Sequence, residues 1–341
     1  MKTWRVIASL AIAVAGATTA AAQAAERHKA HPATVSKPTA QQALRGFQHD
    51  LISLLALRAE ASPLLAAAEM ARALNDESLA AKFPALLGRA ARAPGAGPYV
   101  TWEQLVDCDP KIRDCPRSEA LDHLLEQAPD NAAGWLLKLG QDRQDMRGDA
   151  ARADLAKAAA SATYDDYVGA SKGALASAAA ILPPPPATYD AAKGGSAAGV
   201  IYLLVSSVGE TLPRPVLPVV ADYCEKNASD ASIKADCLKL AKVLDWASSP
   251  LARSLGLHLR QTLSDDANEQ EEARRAWNSL VWQVQNFAVL SAKAQTDPAL
   301  AQYLLGLVHT GGTEMSLIYS ALRNQNIPLD APSGWTPGPN S

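Results

Sequence analysis

Apolar residues in this chain recur at spacings of three and four almost from end to end, and almost nowhere do they alternate at two. That period belongs to helices with one buried stripe and confines the fold to the all-α class. The one strand-like stretch is 199–208, where Val200-Ile201-Tyr202-Leu203-Leu204-Val205 is continuously apolar. With Ala197 and Ala198 ahead of it and no second strand to pair with, it reads as a buried helix. Alanine makes up about one residue in five, most densely between 150 and 180. Side chains that small let helices approach closely.

Capping residues and prolines cut the pattern into about a dozen helices. The spacing predicts helices near 41–60, 62–74, 101–106, 117–127, 131–146, 149–161 and 165–180. The first carries Leu44, Phe47, Leu51, Leu54 and Leu55 on its inner stripe, and Ser62-Pro63 opens the second. Asp76 caps a further helix that Pro84 kinks or restarts. Pro183 to Pro186 cannot continue a helix and, with Lys193-Gly194-Gly195-Ser196, marks a linker at 183–196 between helical halves at 41–182 and 197–323. The second half is expected to hold helices near 197–208, 216–227, 230–247, 251–263, 266–290, 297–308 and 313–323. Residues 324–341 read as a docked or loose tail.

The N-terminus has the layout of a secretory signal. Lys2 and Arg5 precede an apolar stretch from Val6 to Ala17, and Ala22-Gln23-Ala24 offers a cleavage site, so residues 1–24 are expected to leave. The stretch is too short for a good bilayer span. Losing Lys2, Arg5 and no acid shifts the formal charge from −3 to −5. A mildly acidic chain with 5 % aromatic residues offers no basic surface for nucleic acid and few platforms for bases or sugars. Residues 25–40 read as a flexible leader; His28 and His31 within it are solvated spacer rather than metal ligands. The expected location is the periplasm or outside the cell.

An oxidising compartment favours disulfides for the four cysteines, and spacing favours two local pairs, Cys108 with Cys115 and Cys224 with Cys237. The second pair would face across a helical hairpin. Zinc would ask for Cys-x2-Cys knuckles or nearby His, and neither is present.

Residues 129–160 contain Pro129-Asp130-Asn131-Ala132-Ala133-Gly134-Trp135, then Leu139-Gly140, Gly148-Asp149, Ala153, Lys157 and Ala160. This text resembles one tetratricopeptide repeat, with Trp135 as its large anchor and Gly148 and Ala153 at or near its second helix. The distance from Trp135 to Ala153 exceeds the family's spacing by two residues, and no second copy follows at a period of 34. The resemblance implies stacked antiparallel helical hairpins, as a repeat solenoid or an irregular array, that bind segments of other proteins.

Catalytic and cofactor motifs are missing: no His-Glu-x-x-His, Gly-x-Ser-x-Gly, phosphate loop or dinucleotide fingerprint. Glu77-Ser78 has the dipeptide of exported glycan-cleaving enzymes but not their downstream glycines, and Glu77 suits a helix's first turn. Asp165-Asp166 between Tyr164 and Tyr167 reads as a cap with anchors. Glu269, Glu271 and Glu272 with Arg274 and Arg275 read as a solvated helix face, and Trp277, Val281, Val284 and Ala288 as its core stripe. His309 to Glu314 places His, Glu and two glycines in one loop, which a helix connection also explains. The expected function is a non-catalytic interaction protein that docks another exported or envelope protein, without cofactor. The alternatives are an inhibitor or immunity protein for an exported toxin or hydrolase, and a cell-wall hydrolase.

Overall fold

The computed structural model describes residues 38–338, apart from 75, 77, 78, 80, 81, 107–116, 214 and 215. The signal segment, nearly all of the leader, Glu77-Ser78 and the pair Cys108 and Cys115 lie outside the described residues.

Thr39 opens α1 (Ala40–Leu55), its hydroxyl accepting from the Gln42 N–H while the Gln42 side chain returns to the Thr39 N–H. Then come α2 (Ala61–Ala73), α3 (Lys82–Arg92), α4 (Pro98–Val106), α5 (Arg117–Gln127), α6 (Ala132–Gln144), α7 (Gly148–Ala160) and α8 (Val168–Ala179). Beyond the prolines follow α9 (Ala197–Glu210), α10 (Leu217–Lys226), α11 (Ala231–Leu244), α12 (Pro250–Leu263), α13 (Ala267–Lys293), α14 (Pro298–His309) and α15 (Glu314–Asn324). The fold is all-α: the described residues form fifteen α-helices and no strand, with one isolated bridge between Asn131 and Thr163. Neighbours in sequence pack as hairpins, α6 against α7 most extensively, then α2 against α3, α12 against α13 and α11 against α12. The 199–208 stretch is helical, within α9.

Helices from both sides of the proline segment share cores. One core joins Trp102, Leu124, Leu136 and Leu155 to Val220, Leu240 and Leu259. Another joins Phe47, Leu51, Leu65 and Leu175 to Leu204, Val205 and Val308. A third lies within the later helices, around Leu280, Leu304 and Ile318. The proline segment is itself docked, with Pro184 buried and the 3-10 turn Pro186–Thr188 against α1.

Helix α8 is central, packing against α1, α2, α9 and α14. Its small residues make that multiplicity sterically feasible: a Cβ on Gly169 would stand 1.9 Å from the Gly312 carbonyl oxygen. The buried Lys172 ammonium donates to Glu314 at 2.7 Å, tying α8 to α15. Ahead of α8, Tyr167 takes a left-handed φ of 57°, so the helix starts at Val168 rather than at Asp165. Buried Asp166 instead accepts from the Ser248 and Ser249 hydroxyls at 3.0 and 2.6 Å, which pins this connection to the start of α12.

Three local expectations are corrected. Leu54 is 43 % exposed, because α1 ends one residue later and its last turn leaves that side uncovered. Ser62 lies inside α2, whose N-cap is Glu60 without a side-chain cap bond. On α13 the buried positions are Ala273, Leu280, Gln283 and Leu290, while Val284 and Ala288 are exposed; of the expected stripe Trp277 and Val281 are half-buried, because the face turned to the core is the one that carries Leu280, Gln283 and Leu290.

Candidate functional site

The connection between α1 and α2 forms a built surface feature. As α1 ends, Arg89 of α3 donates to the carbonyls of Ala56 and Arg58 at 2.7 and 3.0 Å. A guanidinium fork suits two neighbouring acceptors, and here it fixes the turn on either side of Leu57. Leu57 is 83 % exposed. Beside it lies a half-open depression of about 150 Å³ lined by Leu55, Arg58, Ser62, Pro63, Ser177 and Ile181, among others. Ile181 is 43 % exposed, as is Leu54 one turn before Leu57. The volume is below the ~300–1,000 Å³ of a small-molecule pocket, and fits one inserted side chain. Arg58, Glu60 and Ser62 are among the residues that line it.

Next to this depression, Ser177 on α8 meets the Nδ1 of His309 at 3.4 Å, with both residues exposed. Glu314 does not join them: it is buried on Lys172. The 309–314 loop is therefore a helix connection, with Gly311 in the left-handed region at φ 78° and Thr313 capping α15.

A second polar cluster sits on the repeat-like hairpin. Asp142 of α6 and Asp154 of α7 are buried, and Lys138 donates to both, at 2.9 and 3.2 Å. The chain leaves α6 through Met146 at φ 57°, which returns the Arg147 N–H to the Asp142 carbonyl and the Arg147 guanidinium to the Asp142 carboxylate. Burial alone would lift the Asp142 carboxyl; hydrogen bonds from Arg147, Lys138 and Asp154 outweigh it and hold it at about 2. Burial, then the hydrogen bond to Asp142, raises Asp154. The pair acts as a cross-helix clamp, capped on its outer side by Lys138 and the half-exposed Arg147.

In the same hairpin Trp135 is half-buried, its indole N–H on the Pro129 carbonyl at 2.9 Å and Lys157 over its ring at 4.2 Å. Gly148 and Ala153 are exposed; the small residues at the helix contact are Ala151 and Ala158. Cys224 and Cys237 form a disulfide between α10 and α11, with Cα atoms 5.9 Å apart. The Gly194-Gly195 pair is a packing device, since a Cβ on Gly194 would lie 2.4 Å from the Thr296 carbonyl. On α13 the acid–base run is a set of surface pairs, Arg274 on Glu271 at 2.6 Å foremost.

Sequence reasoning did not find the Leu57 turn or the Asp142–Asp154 clamp. Leu57 fell within a predicted helix, and Asp142 and Asp154 looked like ordinary charges on helix faces. The α6–α7 register placing Asp154 within reach of Lys138 was the usable signal.

No protein family, no curated protein and no solved structure matches the chain.

Proposed function

We propose that the chain is exported and serves in the cell envelope as a non-catalytic helical scaffold, docking another exported protein at the α1–α2 turn. One observation carries this reading: an almost fully exposed leucine, on a turn braced at both flanking carbonyls by Arg89, beside a depression sized for one side chain. A free leucine on a mobile loop would mean little. Bracing the turn lowers the entropy lost on binding, which is what an interaction anchor needs. The α6–α7 hairpin is read as a degenerate tetratricopeptide-like unit within the array, supported by the Trp135 anchor and the antiparallel pair it stabilises.

A photo-reactive amino acid at Leu57 and another at Ile181, compared with one at exposed Val289, tests the docking site in the native compartment. One common adduct from the first two positions and not from the third is expected; the same adducts from Val289, or none from Leu57, would overturn it. Export has its own check. Sequencing the N-terminus of the mature protein should give Ala25, and a retained Met1 would contradict cleavage at Ala22-Gln23-Ala24.

A further inference from the structure

The C-terminal segment crosses α13 in a groove whose side chains address its backbone. Asn326 adopts a left-handed φ of 54°, and the Ile327 N–H returns to the Leu322 carbonyl at 2.9 Å, so the end of α15 aims the chain across α13. The Trp282 indole N–H then donates to the Pro328 carbonyl at 2.9 Å, and the Gln283 amide to the Leu329 carbonyl at 2.8 Å. Ser279 Oγ accepts from the Ala331 N–H at 3.1 Å. Ile327 and Leu329 pack on the core beneath, and Trp335 meets Trp282 edge-on with ring centroids 5.6 Å apart.

These contacts define a ligand. They read two successive carbonyls, one N–H two residues later, two apolar side chains and an aromatic ring, and no charged group. Positions 328 and 332 are prolines, which have no N–H to leave unpaired. The matching segment is proline-bearing, uncharged at its contact positions and turned at its end, as the resident strap is where the Trp335 N–H meets the Pro332 carbonyl at 2.9 Å.

The resident segment leaves one buried acceptor of the face unmet. Ile327, Leu329 and Trp335 are only half-buried, whereas Gln283 beneath them is 7 % exposed and its Oε1 has no hydrogen-bond partner among the described residues. A competing segment that offers an N–H to that oxygen gains a bond the tail does not make. We propose that this face of α13 is a binding groove for an uncharged, proline-bearing segment of another protein, kept closed in cis by residues 327–335. It is separate from the Leu57 turn and does not rest on it.

The probe is a fluorescein-labelled peptide of residues 326–338, followed by anisotropy against the full-length chain and a full-length Leu329→Asp, Trp335→Ala variant whose strap is weakened. Because a tethered segment competes at high effective concentration, the variant is expected to bind the peptide about tenfold tighter than the unaltered chain. Adding Trp282→Phe, which keeps the ring and removes the donor, should reverse most of that gain. If the double variant loses helix content by circular dichroism, Trp335→Ala alone takes its place. A strap variant with native helix content that binds no tighter than the unaltered chain overturns the proposal. So does concentration-dependent dimerisation of the unaltered chain that the peptide abolishes, which would assign the groove to tail exchange between copies.

Discussion

Met146 holds a left-handed φ of 57° at an exposed position, where a Cβ adds strain and buries nothing in return. That conformation costs an L-residue roughly 1–2 kcal/mol, partly offset in a glycine variant by greater freedom in the unfolded chain. Met146→Gly is therefore expected to stabilise the protein by about 0.5–1 kcal/mol in urea unfolding; a loss of stability would mean that the turn is held by contacts of Met146 itself. Nearby, Asp142 and Asp154 pull in opposite directions with pH. The Asp142 carboxyl is depressed to about 2, so its contribution is whole above the ordinary Asp range and disappears as pH falls through that value. Asp154 is raised, so its contribution is present below the ordinary range and is lost as pH rises through its folded value. Asp154→Asn should consequently gain stability relative to the unaltered chain as pH rises from about 4 to 7. Asp142→Asn should cost about 2 kcal/mol at neutral pH, less than for a sealed ion pair because half-exposed Arg147 keeps part of its hydration. Unfolding curves at both pH values check both variants. Individual residues were the least legible level of the sequence. A stripe of periodic leucines placed Leu54 inside, but whether a neighbour covers the last turn of α1 depends on packing that a local pattern does not encode.

Helix boundaries were far more legible, because caps and prolines act over a few residues. Asn131, Ser196, Asp230, Asp266, Asp297 and Thr313 each accept backbone N–H bonds at a helix start, as their side chains allow. Pro84 falls in the first turn of α3, where its missing N–H costs no bond within that helix. Tyr167 defeated the reading at α8, because a left-handed tyrosine carries no compositional mark. Two tests belong to this scale. Gly169→Ala would drive a Cβ into the Gly312 backbone, which cannot swing aside, and should cost about 1–3 kcal/mol; an unchanged melting temperature would show that α8 and the 311–313 loop are not in contact. Cys224 and Cys237 are 13 residues apart, so losing their bond should cost about 3 kcal/mol by the chain-entropy estimate. Comparing the oxidised chain with a Cys224→Ala, Cys237→Ala variant measures it.

At the level of the whole molecule, cores that take helices from both sides of Pro183–Pro186 imply one cooperative unit. Calorimetry should show a single unfolding transition, and two separate transitions would mean that the halves are independent. Local patterns pointed to the proline segment as a boundary, and long-range pairings such as α7 with α11 leave no trace in a single sequence. The all-α class was legible because one period dominates the chain; the braced Leu57 turn was not, because Arg89 reaches it from a helix some thirty residues on. The most direct measurement of the central claim is quantitative cross-linking mass spectrometry in the native compartment, comparing the unaltered chain with full-length Leu57→Asp and Arg89→Ala variants of matched helix content. Inter-protein cross-links to one partner should fall sharply in both variants, further with Leu57→Asp; cross-links of undiminished yield in both would contradict docking at this turn.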